Sequence, residues 1–378
     1  MKSNHIVFTT IYKAEVLLEL TANLERNGRL DDTVCWVVGD LGTPEECKTS
    51  CLTAERHGLE TKFLSIEYQD TWGKKFPEFY NLIPYKNETR RNIGFLHALE
   101  AGCKTLISID DDNFPSSDDF IGFHAITGTT WQEEILRDAS GYFNVCELLD
   151  IFPKRPIFPR GFPFNKRGRG NSALPIKPHK RIVIGANSGL WLNEPDIDAT
   201  TWLNGPVKSN NYLGPPHIVL DQETWSPINT QNTSLMRELI PAYLCIPMGH
   251  AVPGGNIERY GDIWSGYFMQ AIMNGTPYHI CFGRPIVEHR RNPHNYLNDL
   301  RHEYWGMMLT DWLLEELRQH FEPVGSDIID RVIHLAAFIE MLSADRMPAW
   351  SPPEVCAFMR NTSQTLYQWA LVCRSITG

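Results

Sequence analysis

Short apolar runs alternate with amphipathic stretches along the first third of the chain. The apolar runs predict buried strands at residues 5–10, 33–38, 61–66 and 105–109. The stretches between them place apolar residues three and four positions apart, which predicts helices at 13–27, 45–57 and 90–101. Strands that alternate with helices of this length form βαβ units, which build a parallel sheet. We therefore expect an α/β fold in this part of the chain.

The pattern changes after residue 150. Residues 150–260 are dense in Pro and Gly with interleaved aromatic residues, which predicts ordered loops over a scaffold. A helical pattern resumes at 257–274, and further helices follow residue 297, one capped by Ser326 and one opened by a capping box from Ser351 to Glu354. We expect a main domain over 1–300 and a helical region over 301–378 that packs on it or on another subunit.

The charge of the chain limits the classes of partner. The 378 residues carry a net charge of −10, so we expect no general binding to nucleic acid, which needs a basic excess. No window approaches the roughly 18 apolar residues of a membrane span, and the first residues lack a signal-peptide pattern. We expect a cytoplasmic protein. Residues 154–181 hold nine Lys and Arg and no acid, which predicts a lid over an anionic ligand; a solvated surface is the alternative.

Three consecutive carboxylates follow the fourth predicted strand. Asp110, Asp111 and Asp112 stand directly after the apolar run TLISI. Parallel sheets place ligand sites at the carboxyl ends of their strands, and neighbouring carboxylates repel one another unless a cation is present. Oxygen ligands of this kind suit Mg²⁺ or Mn²⁺ shared with substrate phosphates. An acidic surface turn is the alternative interpretation.

Other polar residues are predicted to lie near this triplet. Arg90, Arg91 and Asn92 open a helix, so a helix N-terminus and two guanidinium groups predict an anion site; a solvated helix end is the alternative. Asp40, after the second strand, is predicted to bind a base or ribose unless it is an ordinary turn residue. The glycine-rich phosphate motifs of dinucleotide and P-loop proteins are absent from the sequence. A nucleotide must therefore be held by metal and side chains.

Longer motifs carry a resemblance to two groups of proteins. The runs VVGDLGTP (37–44), NLIPYKNETRRNIGFLHALEAG (81–102) and DDDNFP (110–115) resemble STELLO-type glycosyltransferase-like proteins. The plant reversibly glycosylated polypeptides, which are UDP-arabinopyranose mutases, are similar to this chain in the runs RGFPF (160–164), GLWLNEPDIDATT (189–201), ERYGDIWSGY (258–267) and EHRRNPHNYLNDLRHEY (288–304). The matches lie in order along residues 5–305.

This resemblance implies a GT-A-like nucleotide-sugar fold with a mixed, mostly parallel sheet, a UDP-linked donor and a Mn²⁺ or Mg²⁺ ion. It implies that the triplet supplies a D-x-D element, in which Asp112 holds the metal and Asp110 faces the metal or the ribose. The residues expected to bind the nucleotide lie around the ends of three strands: Thr9, Asp40, Arg91, Asn92, Asp110 and Asp111.

Three later residues receive roles from the resemblance. Arg160 aligns with the arginine that becomes glycosylated in the mutase family. Asp262 lies in the motif where inverting enzymes carry the general base, which takes a proton from the acceptor hydroxyl; a helix N-terminal charge is the alternative. His289 lies where a histidine completes the metal or pyrophosphate site, and a hydrogen-bonded, partly buried histidine is the alternative. The chain departs from the mutase pattern at Gly261, which replaces an Asp.

Three functions agree with these residues. The first is a metal-dependent glycosyltransferase that uses a UDP-linked sugar and an unidentified acceptor: a glycan, a small molecule or a protein. The second is a mutase that interconverts the pyranose and furanose forms of a UDP-sugar and needs no acceptor. The third is a non-catalytic nucleotide-sugar-binding scaffold that works through the C-terminal helices, where we also expect any homo-oligomer to form.

Overall fold

A computed structural model describes residues 2–168, 170–291 and 295–378, in which helices pack against one large sheet. The strands of the described residues are β1 (Asn4–Thr10), β2 (Thr33–Gly39), β3 (Glu60–Leu64), β4 (Thr105–Ile109), β5 (Asn113–Pro115), β6 (Thr130–Trp131), β7 (Ile135–Arg137), β8 (Leu149–Phe152), β9 (Leu174–Ile176), β10 (Ile182–Asn193), β11 (Lys208–Tyr212), β12 (His217–Leu220), β13 (Asn232–Met236), β14 (His250–Val252), β15 (Gly255–Ile257) and β16 (Tyr278–His289). The helices are α1 (Glu15–Arg26), α2 (Glu45–Arg56), α3 (Ile66–Gly73), α4 (Pro77–Tyr80), α5 (Arg91–Glu100), α6 (Phe120–His124), α7 (Ala199–Leu203), α8 (Gly261–Met273), α9 (Tyr296–His320), α10 (Ile328–Met341) and α11 (Pro353–Thr377).

The large sheet is mixed, and its strand directions bring the ends of β4 and β16 to the same edge. Its order is β3-β2-β1-β4-β13-β10-β16-β12-β7-β9. The strands β1 to β4 run parallel, β13 is antiparallel to both β4 and β10, and β16 is parallel to β10. Because β16 therefore runs in the same direction as β4, both strands end at one edge of the sheet. The mixed sheet and its helices form an α/β fold, as predicted.

The predicted elements of the first 110 residues are confirmed to within two residues at each end. The prediction for 257–274 is wrong over its first residues, because Ile257 ends β15 and α8 begins only at Gly261. Arg259, which lies between them, has a φ of 63°. This left-handed backbone interrupts any helix, since an L-residue adopts it only singly.

Both predicted helix caps in the C-terminal region are wrong. The cap of α10 is Asp327, whose side chain accepts from the backbone N–H of Asp330, while the Ser326 hydroxyl donates to the Asp330 carboxylate. Pro352 occupies the cap position of α11, so Ser351 lies one residue too far out to cap the helix. Within the described part of the chain, the Ser351 hydroxyl is buried without a hydrogen-bond partner.

The C-terminal helices pack on the rest of the chain, one of the two arrangements expected. Trp369 in α11 is fully buried and its indole N–H donates to the carbonyl of Pro241 at 2.8 Å. The boundary predicted between 300 and 301 lies inside α9, and one hydrophobic core continues across it, so the two-domain division stays a prediction. Of the helices described, none has both the length and the apolar character needed to cross a membrane.

A buried histidine makes stability depend on pH. The His124 ring nitrogens lie 2.8 Å from the Ser234 hydroxyl and 3.0 Å from the Asn232 side-chain oxygen. Burial lowers the pKa of His124 to about 3. The unfolded chain binds a proton on this residue near pH 6.5, whereas the folded chain does not, so stability is complete above that pH and falls as the pH decreases toward 3.

We expect His124→Gln to remove this pH dependence. Between pH 7 and pH 5 the wild-type free energy of unfolding should fall by about 2 kcal/mol more than that of the variant, because the variant has no proton to gain here. Urea unfolding at both pH values measures the difference. The exposed His57 supplies the control, since His57→Gln should follow the wild type. Equal losses for wild type and His124→Gln would show that His124 is protonated in the folded state.

Candidate functional site

Two clefts lie at the edge where β1, β2, β4 and β16 end. The inner cleft has a volume of about 340 Å³ and is lined mainly by polar side chains, among them Arg91, Asp110, Asp112, Arg160, Asp196, Asp262 and His289. The outer cleft has a volume of about 680 Å³, and its lining includes Ile11, Tyr12, Asp111, Asp112, Phe114 and Arg290. Asp112 lines both clefts, so they meet at the acidic triplet.

The first two carboxylates of the triplet have different partners. Asp110 accepts a hydrogen bond from the Arg91 guanidinium at 2.6 Å, and Asp111 accepts one from the Thr10 hydroxyl at 2.6 Å. Burial raises the pKa of Asp110, although the charge of Arg91 opposes this shift. Burial raises the pKa of Asp111 to about 6, and its two acidic neighbours act in the same direction. The pair with Arg91 holds Asp110 at the inner cleft.

The third carboxylate meets a histidine from the far end of the chain. β5 pairs antiparallel with the end of β16, which sets His289 opposite Asn113 and brings its Nε2 to 3.3 Å from the Asp112 carboxylate. Burial opposes ionisation of Asp112, but the hydrogen bond and charge of His289 lower its pKa. Burial also opposes protonation of His289, yet the same contact raises its pKa. The carbonyl of Glu194 holds His289 Nδ1 at 2.7 Å and so orients the ring.

A carboxylate oxygen is a suitable ligand for Mn²⁺ or Mg²⁺, and a neutral imidazole nitrogen can join it more readily on Mn²⁺, a transition metal, than on Mg²⁺. In the chain as described, no group of three or more His, Cys, Asp or Glu residues is arranged to hold a metal ion. Asp110, predicted as a third ligand, is turned toward Arg91. Asp112 and His289 therefore fit an ion that takes its remaining ligands from water and a diphosphate, as Mg²⁺ commonly does.

Arg160 lies between two carboxylates of the inner cleft. It makes a bidentate pair with Asp196, both bonds at 3.0 Å, and another with Asp262, at 3.1 and 3.2 Å. Burial opposes ionisation of Asp196, but the Arg160 charge and hydrogen bonds lower its pKa to about 2. Sequence reasoning missed Asp196, although it lies in the run GLWLNEPDIDATT that carries part of the resemblance.

Three residues predicted to bind the nucleotide line neither cleft. The Asp40 carboxylate accepts from the backbone N–H of the next residue at 2.6 Å and from that of Asn87 at 2.9 Å. The Asn92 side chain exchanges two hydrogen bonds with the backbone of Cys245 and is fully buried. Thr9 is half-buried, one residue before the end of β1. Their roles toward a nucleotide stay predictions.

The guanidinium groups of Arg90 and Arg91, at the start of α5, lie in different surroundings. Arg90 is fully buried and donates to the Gln69 side chain at 2.8 Å and to the Tyr80 hydroxyl at 2.7 Å, so the prediction that both face an anion is wrong. Of these two arginines, Arg91 is the one that lines the inner cleft.

The basic stretch 154–181 contributes one residue, Arg160, to the inner cleft. Arg155 donates to backbone carbonyls around the end of α7, and Arg167 forms an ion pair with Asp198 at 2.6 Å. These two cations are thus used within the fold rather than toward an anion. Arg169 lies outside the described residues.

Comparisons of the sequence with known proteins point to one family. The family model for reversibly glycosylated polypeptide matches residues 71–340. "Probable UDP-arabinopyranose mutase 1" of Pisum sativum is 28% identical over 233 residues, which are 61% of this chain and 58% of that protein. "UDP-arabinopyranose mutase 2" of Arabidopsis thaliana is also 28% identical over 233 residues, 61% of this chain and 59% of that protein. The chain therefore spans less than two thirds of the length of these curated relatives.

Solved structures with a similar arrangement are distant in sequence. Glucosyl-3-phosphoglycerate synthase from Mycobacterium tuberculosis, in complex with Mn²⁺ and UDP-glucose, has a TM-score of 0.39 and 10% identity, covering 82% of this chain and 79% of its own. S. aureus TarS 1–349, in complex with UDP-GlcNAc, has a TM-score of 0.39 and 11% identity, covering 99% of this chain and 91% of its own. Neither similarity carries an argument about the ligand of this chain.

The Arg91–Asp110 pair should contribute to stability as a unit. Its side chains are 4% and 25% exposed, so Arg91→Met leaves a largely buried carboxylate without its cation. We expect this variant to lose about 3 kcal/mol of the free energy of unfolding. Adding Asp110→Asn should recover at least about 1 kcal/mol, because a neutral amide needs no counter-charge. Urea unfolding of the wild type, both single variants and the double variant measures the coupling, and strictly additive losses would contradict it.

Proposed function

The chain belongs to the reversibly glycosylated polypeptide family, and from this premise we propose that it binds a UDP-linked sugar and reversibly breaks the bond between the anomeric carbon and the diphosphate. The observation that carries the proposal is the division of the acidic triplet between two clefts. Asp111 borders the outer cleft, Asp112 borders both, and Asp110 borders the inner cleft beside Arg91. A ligand with a nucleoside, a diphosphate and a sugar has its three parts in the same order.

Each part of such a ligand meets suitable chemistry. The outer cleft offers the half-exposed side chains of Ile11 and Tyr12 to a base, and Asp111 can accept a hydrogen bond from a ribose hydroxyl. The diphosphate would lie at Asp112 and His289. The inner cleft is lined by charged and polar groups, which suits the hydroxyls of one sugar ring. The lining of the two clefts and the names of the relatives together support a UDP-sugar as the ligand.

The reaction needs stabilisation of negative charge on the leaving diphosphate. Arg91 lies where this charge would develop, and a fixed cation there favours the transition state more than the ground state. A Mn²⁺ or Mg²⁺ ion held by Asp112 and His289 would supply further charge neutralisation when bound. Asp262, at the wall of the inner cleft, would accept the proton of the hydroxyl that attacks the anomeric carbon.

We place the mutase reaction first, since the curated relatives are named UDP-arabinopyranose mutases. In that reaction the bond between C1 and the diphosphate breaks and UDP leaves, and another hydroxyl of the same sugar bonds to C1 while its proton passes to Asp262. UDP then bonds to C1 again as the original bond between C1 and the ring oxygen breaks, and that oxygen takes the proton back from Asp262. Transfer to an external acceptor is the second candidate, which Asp262 favours as a carboxylate beside the sugar position. The packing does not favour the scaffold function, because α11 contributes Trp369 to the main hydrophobic core and does not form a separate helical unit.

UDP binding should depend on a divalent cation through Asp112. We compare the protein with UDP in the absence and presence of Mn²⁺, at a UDP concentration a hundredfold above the dissociation constant measured with the ion. If UDP binding requires Mn²⁺, adding the ion should raise the free energy of unfolding by about 2.7 kcal/mol. Asp112→Ala should lose this increment. Asp118→Ala should retain it, since Asp118 forms an exposed ion pair with Arg284 away from both clefts. Thermal unfolding measures the shift, and an unchanged increase with Mn²⁺ in Asp112→Ala would contradict the proposed metal site.

The products formed from donor alone separate the candidate reactions. UDP-arabinopyranose with Mn²⁺ and no acceptor should yield the furanose form if the protein is a mutase, because the sugar supplies its own nucleophile. A transferase should release UDP only when an acceptor is added, and Asp262→Asn should then bind UDP but lose transfer. Chromatography of the sugar nucleotides measures both. UDP binding with no change to any donor or acceptor would leave the scaffold function.

A further inference from the structure

A further cavity lies at the opposite ends of the strands, away from the two clefts. Its volume is about 600 Å³. β16 begins at this cavity with Tyr278 and reaches the inner cleft at His289, while α5 begins at the inner cleft with Arg91 and reaches this cavity at Leu99. The turn at 275–277 after α8 and the start of α10 complete the walls. The C-terminal helices and the main sheet thus enclose a space that is separate from the site already described.

Much of the lining of this cavity is apolar. Leu99 and Pro241 contribute to it, together with Tyr278, Ile328 and Ile329. Tyr278 and Ile328 are partly buried against the main core, and Ile329 is buried. The volume lies within the range of roughly 300–1,000 Å³ that is typical of small-molecule sites, whose walls are mostly apolar with a few polar groups. The cavity therefore suits the apolar part of a small ligand.

Arg237 adds a cation to this lining and has few partners of its own. Its Nε–H is buried without a hydrogen-bond partner, and Nη2 makes only a long contact of 3.4 Å to the carbonyl of Leu99. Among the described residues, no carboxylate forms an ion pair with this guanidinium. A buried donor of a charged group is costly to leave unpaired, and such a group calls for an acceptor. A ligand that accepts hydrogen bonds from Arg237 would supply it.

The charges of the lining favour one kind of acceptor. A guanidinium group can donate two parallel hydrogen bonds to either a carboxylate or a phosphate. The cavity is lined by Arg237 and Arg331, but also by Glu238 and Asp327, so the formal charges of its lining cancel. Asp327 caps α10 and Glu238 is exposed, and both would repel a second negative charge more than a first. A carboxylate with one charge is therefore favoured over a phosphate monoester, which carries nearly two.

We propose that this cavity is a second ligand site, which binds a small organic monocarboxylate. The carboxylate would accept hydrogen bonds from Arg237, and the apolar part of the ligand would lie against Tyr278 and Ile328. The unpaired Arg237 beside an apolar wall is the observation that points to such a ligand. This proposal does not depend on the UDP-sugar proposal, because the residues that line this cavity line neither of the two clefts.

Binding of 3-phenylpropionate to the full chain, measured by isothermal titration calorimetry, tests the site. We expect it to bind at least about tenfold tighter than acetate, which lacks the apolar part, than 3-phenylpropanol, which lacks the charge, and than 3-phenylpropyl phosphate, which carries more charge. Arg237→Gln should weaken binding at least about tenfold. The matched control is Arg360→Gln, which changes an exposed arginine of α11 outside the cavity and should bind as the wild type does. No binding by the wild type, equal affinity in Arg237→Gln, or tighter binding of the phosphate would overturn the proposal.

Two further measurements separate a ligand site from a structural role of Arg237. Arg237→Gln removes an unpaired charge, so its free energy of unfolding without ligand, measured in urea, should not fall below that of the wild type. A clear loss would show that the fold itself uses this guanidinium and would contradict its availability to a ligand. Ile328→Asp places a carboxylate at the first residue of α10, where a helix accepts an acid, and should abolish binding by repelling the probe. Unchanged binding in Ile328→Asp would mean that the probe binds elsewhere.

Discussion

Ionised carboxylates can be buried at the edge of a sheet only when cations are supplied to them, and this requirement shapes the site. Removing one charge from water costs several kcal/mol unless a partner with good geometry compensates it. Here Asp110 pairs with Arg91, and Asp196 and Asp262 share Arg160, while Asp112 lies within hydrogen-bond distance of His289, a contact that raises the pKa of the imidazole. The separation within a pair ranges from 19 positions for Arg91 and Asp110 to 177 for Asp112 and His289, so the complete polar cluster forms only when the sheet is complete.

The direction of the strands brings these segments to one edge. β13 runs against β4, and β10 and β16 then run with β4 again, so the end of β16 reaches the acidic triplet. The short strand β5 completes the approach, because its pairing with β16 sets the position of His289 relative to Asp112. A shift of one residue in this pairing would turn His289 to the other face, since side chains alternate along a strand.

The C-terminal helices stabilise the same edge indirectly, through the segments that carry the paired residues. α11 packs on α5, and α5 begins at Arg91, the cation of the first pair. α9 contributes Glu303, which binds the Arg259 guanidinium at 2.9 Å, and the Arg259 carbonyl accepts from Arg160. The helical region thus helps to hold the walls of the inner cleft. A structural contribution of this kind explains why its apolar stripes continue the main core instead of forming a core of their own.

The sequence by itself determined the strands β1 to β4 and the helices α1, α2 and α5, although not the short helices α3 and α4. It also determined the acidic triplet after a buried strand and the family, since hydrophobic period and long motifs are local properties of the chain. It also placed Asp262 and His289 among the candidates. Only the tertiary structure decided which charged side chains form pairs. It turned Asp40 and Asn92 to backbone groups, buried Arg90, and brought Asp196 to Arg160. The physical reason is that such partners lie up to 177 positions apart, and their contact depends on strand direction and register, which no local pattern encodes.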